Sequence, residues 1–316
     1  MSATTTDSTR AIVTRGSDGH PGAGSRRDRR ATAPHGTGTG HRHPRHLRRF
    51  IQPVIAIVTA ALLLGIPFWL VIVTASKDQA EALNPNLSLP SEWRLLDNFA
   101  TVFTDGKMLP AFFGSLLVMV PAVLGVLILG SMAAWILGRR SSRPLAIVYA
   151  LAISGIVLPP AVVTIVLLLR QLGLAGTPIG MICVYMGMYL STVIFFVTGF
   201  VRTIPPELEE AARVDGASPV RVFVTIILPL LMPVLATATI LICLYIWNDV
   251  FYALFVVGGR LDTLPLNLYQ VASAGLYLQN WHLIFAYIIL MSLPLLITFI
   301  VAQRKIISGI TSGAVK

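Results

Sequence analysis

Glu207, Glu209 and Glu210 stand within four positions, preceded by Pro205-Pro206 and followed by Ala211-Ala212-Arg213-Val214-Asp215-Gly216-Ala217-Ser218-Pro219. The chemistry such a group can do is recognition. Carboxylates on a short helix can meet a basic partner, and two alanines beside them let another surface come close. Local rules write a helix–turn–helix here. Pro206 fits a first helical turn, and the glutamates complement the positive end of the helix dipole. Glu209 and Arg213 stand at i,i+4, a favourable pairing. Gly216 is a natural stop, because glycine takes the left-handed conformation that ends helices. Ser218 then caps a second helix with Pro219 at its first position, running on into Phe223–Pro229. The alternative for this stretch is an amphipathic connector resting on the inner leaflet.

A second group lies in an apolar run: Tyr245, Trp247, Asn248, Asp249 and Tyr252. A carboxylate at membrane depth costs about 2.5–3.5 kcal/mol on insertion scales, so it faces a cavity or a partner. Two placements stay open. One sets these residues on a path through the membrane, with aromatic faces turned toward whatever passes. The other sets Asp249 near the outer interface, braced by a backbone amide or a neighbouring subunit.

Other chemistries find no residues to carry them. A phosphate-binding loop needs Gly-x4-Gly-Lys-Ser/Thr; the Gly106-Lys107 pair is followed by Met108 and lacks the upstream glycine. Cys183 and Cys243 both lie in apolar runs, outside any disulfide or metal-ligand pattern. Four histidines fall within 35–46, a spacing open to a metal, but the surrounding Arg/Gly-rich composition reads as a disordered tail. The expectation is no metal and no cofactor in this chain.

The elements that must position these groups follow from composition. Only 12% of the 316 residues are charged and 55% are hydrophobic, with mean hydropathy +0.77. Soluble domains carry about 25% charged residues, so a cytosolic enzyme, a secreted domain and a nucleic-acid binder are excluded. Spans need about 20 apolar residues. Runs at 52–74, 109–137, 145–169, 179–201, 223–257 and 282–302 give an all-α integral membrane protein with six helices. The fifth run has room for a helix plus a bent end near Gly258-Gly259. Pro67, Pro121, Pro159-Pro160, Pro229, Pro233 and Pro294 are expected to kink or break helices. Gly125, Gly130, Ala133 and Ala134 mark close helix packing.

Basic residues near span ends stay in the cytoplasm. With both termini inside, segments 1–50, 139–143, 202–221 and 303–316 hold nineteen of the 24 Lys and Arg residues. The organisation expected is a basic cytoplasmic tail over 1–50, a six-helix transmembrane domain over 51–302 with an inner loop at 202–222, and a cytoplasmic tail over 303–316. The first run, about 23 residues long and preceded by fifty polar ones, is too long for a signal peptide and reads as a retained helix.

The string Glu210-Ala211-Ala212-x-x-Asp215-Gly216-Ala217, with Ile227, Pro229 and Pro233 beyond, resembles the EAA loop of binding-protein-dependent ABC importer permeases. Gln303-Arg304-Lys305 and the ending Gly309-Ile310-Thr311-Ser312-Gly313-Ala314-Val315-Lys316 resemble the carbohydrate-uptake, maltose-type branch. Trp247-Asn248-Asp249 and Thr263-Leu264-Pro265-Leu266 look like the same branch. The likeness covers about 50–316. It implies a permease set in the lipid of the inner membrane and pairing there with a second permease, a cytoplasmic ATPase dimer that docks the loop, and an extracytoplasmic binding protein. It also implies roles: Glu210 meets a basic group of the ATPase, Ala211 and Ala212 fit its cleft, Asp215 braces the turn and Gly216 sets the angle. Rival readings are import of a phosphorylated polyol or amino acid, a secondary carrier, which needs repeats and several intramembrane charges, and a membrane enzyme or receptor.

Overall fold

Pro121, Pro233 and Pro294 all sit inside long helices, where neighbouring helices can satisfy the freed carbonyls. A computed structural model describes residues 45–158, 160–273 and 279–314, with side chains over 52–300 of that range. The tail assigned to 1–50, with its histidine cluster, lies outside the described residues except for the backbone of 45–50. The side chains of 303–316 lie outside them too. By backbone packing the chain divides into Met1–Val54 and Ile55–Lys316. The first unit contributes only the opening turns of one helix to the described residues; everything below concerns the second.

All regular structure among the described residues is helical. The elements are α1 (Arg45–Ala75), α2 (Gln79–Ala82), α3 (Leu95–Thr104), α4 (Met108–Arg139), α5 (Arg143–Val157), α6 (Val162–Gln171) and α7 (Pro178–Val201). Then follow α8 (Glu207–Val214), α9 (Pro219–Val222), a π-helical turn at Phe223–Ile227, α10 (Leu228–Trp247), α11 (Phe251–Val256), α12 (Leu264–Ser273) and α13 (Trp281–Ala314). Among the described residues five helical stretches are long and apolar enough to cross a membrane, or six if α5 and α6 form one broken span.

Two runs are broken. The run 145–169, counted as one span in which Pro159-Pro160 is expected to kink or break the helix, bends by 113° between α5 and α6. The cause is Pro159-Pro160: neither residue can donate to the helix ladder, and Leu158, preceding proline, is extended at φ −79°, ψ 121°. The run 223–257 breaks earlier than Gly258-Gly259. Its long helix stops at Trp247, because Asn248 and Asp249 turn their side chains onto the backbone, and α11 starts afresh four residues later, at Phe251.

The core is built on α4 and α7, which pack along each other's length. Glycines make that approach possible. A Cβ at Gly130 would sit 2.6 Å from Val193 Cγ1, and one at Gly138 would sit 2.7 Å from Val201 Cγ1. Around this pair α10 adds Leu231, Leu235, Ala238 and Ile242. A second apolar cluster joins α3, α12 and α13 through Val102, Leu264, Ala286 and Tyr287. α1 contributes little to either: its side chains are exposed from Gln52 to Trp69, and burial begins at Val73. Beyond it Lys77 is buried, its ammonium donating to Asn86 Oδ1 (2.7 Å) and Ser88 Oγ (3.1 Å).

Candidate functional site

The short helix α8 begins after Pro206 and ends where Gly216 takes φ +80°. Gly216 N–H donates to Arg213 O (3.0 Å) and Ala217 N–H to Ala212 O (3.0 Å), closing the turn. A side chain at Gly216 would meet open space, so glycine is required there by conformation rather than by room. Ser218 Oγ accepts from Arg221 N–H at 3.4 Å and Pro219 opens α9. The helix–turn–helix is in place, and it feeds α10 through the π turn.

α8 has two faces. Glu207, Glu210, Ala211 and Val214, at i, i+3, i+4 and i+7, are all exposed, and Val214 is 87% exposed. Such a surface offers two carboxylates, a methyl-sized gap and an apolar tip. Asp215 is also exposed; its backbone N–H donates to Ala211 O (3.1 Å) at the C-cap. The opposite face turns inward. Ala212 packs against the chain's own core, and the Glu209 side chain is only 4% exposed.

Glu209 is held from α4. Arg139 Nε donates to Glu209 Oε1 at 2.6 Å and Trp135 Nε1–H donates to Glu209 Oε2 at 3.0 Å. Arg139 Nη1 also reaches Ile204 O at 2.8 Å. The expected Glu209–Arg213 pair is present but longer, at 3.5 Å with Arg213 largely exposed. Sequence reasoning missed Trp135 and used Arg139 only as a topological charge. A glutamate at spacing two from Glu207, on the face opposite the exposed residues, was the available signal.

The second group occupies the break after α10. Asp249 Oδ1 accepts from Tyr252 N–H (3.2 Å), while Oδ2 accepts from Ala253 N–H (3.1 Å) and Tyr185 O–H (2.8 Å). The carboxylate thus caps α11, with both oxygens engaged. Trp247 is buried, its ring edge-on to Phe112 and its Nε1–H donating to Met291 O at 3.1 Å. Asn248 Nδ2 donates to Leu244 O at 2.8 Å. Tyr252 is half-buried beside Phe251. Tyr245 is half exposed and stacks on Tyr189 with centroids 5.8 Å apart and planes 10° from parallel. It lines a groove of about 450 Å³ with Val157, Thr192, Phe196 and Leu241. Of the five residues, Tyr245 and Asn248 present exposed side chains, and Tyr189 joins them unforeseen. Among the described residues no three His, Cys, Asp or Glu side chains converge as metal ligands.

Residues 127–311, from mid-α4 through the loop to α13, match the family described as the binding-protein-dependent transport system inner membrane component. The chain belongs to that family: it is an inner-membrane, multi-pass permease of a binding-protein-dependent ABC importer, a transport subunit rather than an enzyme. It is 32% identical over 274 residues to the melibiose/raffinose/stachyose import permease protein MelC of Bacillus subtilis (strain 168), covering 85% of this chain and 96% of that one. Over 276 residues it is 33% identical to the probable starch degradation products transport system permease protein AmyC of Thermoanaerobacterium thermosulfurigenes, covering 86% and 98%. The crystal structure of a bacterial ABC transporter involved in the import of the acidic polysaccharide alginate contains a chain of the same fold. Its TM-score is 0.70 at 21% identity, over 83% of this chain and 98% of that one.

Proposed function

We propose that this permease moves a sugar or oligosaccharide inward across the cytoplasmic membrane, working with a second permease, a cytoplasmic ATPase dimer and an extracytoplasmic binding protein. The names of the relatives, which concern melibiose, raffinose, stachyose and starch products, support a sugar over a polyol phosphate or an amino acid. The distribution of Lys and Arg supports both termini inside, which puts α8 in the cytoplasm. There the exposed face of Glu207, Glu210, Ala211 and Val214 is the ATPase contact, and this face is the observation that carries the reading. Glu210 supplies charge to a basic partner, Ala211 lets the partner approach, and Gly216 with Asp215 fixes the turn to α9. Tyr245 and Asn248, with Tyr189 behind, offer a sugar ring a stacking face and an amide; Trp247, Asp249 and Tyr252 hold the break that presents them.

The test is co-purification of the ATPase with the permease, read beside membrane abundance. Glu210→Lys replaces attraction with repulsion and Ala211→Trp fills the gap, while neither residue touches the core. Both variants are expected to insert normally and to lose the ATPase. Full ATPase association in both would remove α8 from the contact.

A further inference from the structure

We infer that Glu209 is a positioning residue that clamps the coupling helix to α4 of its own chain, giving movement of α8 a second, non-covalent route into the membrane domain. The inference rests on α8 being the ATPase contact. Through the backbone α8 is linked forward to α10 by the Gly216 turn, α9 and a π-helical turn, and backward to α7 by residues 202–206. A glycine turn with open space around it and a π segment are compliant joints. Side chains supply the stiffness the backbone lacks.

Four contacts make the clamp. The Glu209 carboxylate, 4% exposed, takes Arg139 Nε on one oxygen and Trp135 Nε1–H on the other, at 2.6 and 3.0 Å. The same guanidinium holds Ile204 O at 2.8 Å, on the entry to α8. The Trp135 ring lies against Phe223 in the π turn, with centroids 5.6 Å apart. One turn of α4 therefore touches the entry to α8, α8 itself and the π turn that leads into α10. α4 in turn is locked to α7 at Gly130–Val193 and Gly138–Val201, so a displacement of α8 pulls on the α4–α7 pair. A charge pair this shielded from water is rigid in a way that a surface pair is not. Glu210, one position on, points away and stays free for the partner.

The test uses the assembled transporter in proteoliposomes with its binding protein, reading ATP hydrolysed per sugar moved. Glu209→Gln keeps shape and loses charge; Trp135→Phe keeps the ring on Phe223 and loses the donor. Both are expected to retain the ATPase and to raise ATP consumed per sugar by about tenfold, within the usual span of coupling between sites. Arg139→Lys, keeping the charge, is expected to recover part of the ratio. A wild-type ratio in both Glu209→Gln and Trp135→Phe overturns the clamp. If Glu209→Gln fails to accumulate, Trp135→Phe decides. Loss of abundance in every variant also overturns it, since the contacts then only hold the fold. Glu210→Lys run alongside separates the failures: if it sheds the ATPase while the clamp variants behave as wild type, the docking reading stands without the clamp.

Discussion

The hydroxyl of Tyr185 in α7 donates to Asp249 Oδ2 at 2.8 Å, tying the middle of one span to the break that ends another. That carboxylate already caps α11 through two backbone N–H groups. Its charge is spent on holding the break, and the exposed Tyr245 lies one helical turn back on α10.

Substitutions here are expected to separate stability from substrate handling. Asp249→Ala removes the cap and orphans the Tyr185 hydroxyl, a loss of about 2 kcal/mol from the two effects. Tyr245→Ala removes an exposed ring and should leave thermal unfolding of the purified complex almost unchanged while raising the KM for sugar several-fold. Equal melting losses in both variants, with KM unmoved, would refute the division of roles.

Gly216 sits at φ +80° with nothing near it. Gly216→Ala is therefore expected to cost only the left-handed penalty, about 1–2 kcal/mol, and to reduce uptake partially. Gly216→Pro cannot take that φ and also deletes the N–H bonded to Arg213 O, so uptake should be abolished. Sugar uptake at matched membrane abundance checks the ranking; equal activity of the two would contradict it.

The α4–α7 seam makes a sharper contrast between two glycines. Gly130→Leu forces a side chain into Val193 and is expected to destabilise by about 1–3 kcal/mol. Gly187, in α7, has nothing within 4 Å, so Gly187→Ala should be neutral or stabilising by up to about 1 kcal/mol. Membrane abundance and melting temperature of the two variants are the readouts.

The loop was legible in the sequence because its signals are local. Pro206, the glutamates, Gly216, Ser218 and Pro219 act within a few residues of themselves; all but Pro206, which stands at the N-cap one position before the first helical residue, lie where helix-terminus rules put them. The apolar runs were legible for the same reason. The partners of Glu209 were not, since Trp135 and Arg139 lie 74 and 70 residues away and meet it only once α4 has packed on α7. The double proline after Leu158 was noted as a breaker, but how sharply the chain would turn there depends on what α5 and α6 each pack against, and pattern alone does not carry that. Asp249 left two placements open because a capping carboxylate and a path-lining one look alike until the α10 break and Tyr185 are both in view. Tyr189 escaped notice because nothing in α7 distinguishes it until it stacks on Tyr245.

The proposed orientation rests on charge. Reporter fusions at residues 90, 175 and 270 are expected to read extracytoplasmic, and those at 140, 210 and 312 cytoplasmic. A cytoplasmic signal at 90 would invert the scheme and take α8 away from any cytoplasmic ATPase.

The most direct measurement is uptake of labelled oligosaccharide into proteoliposomes holding this chain, its second permease and the ATPase, with binding protein outside and ATP inside. Uptake is expected only when all four proteins and ATP are present, and Glu210→Lys is expected to abolish it. Uptake by this chain alone, driven by an ion gradient and indifferent to ATP, would contradict the account.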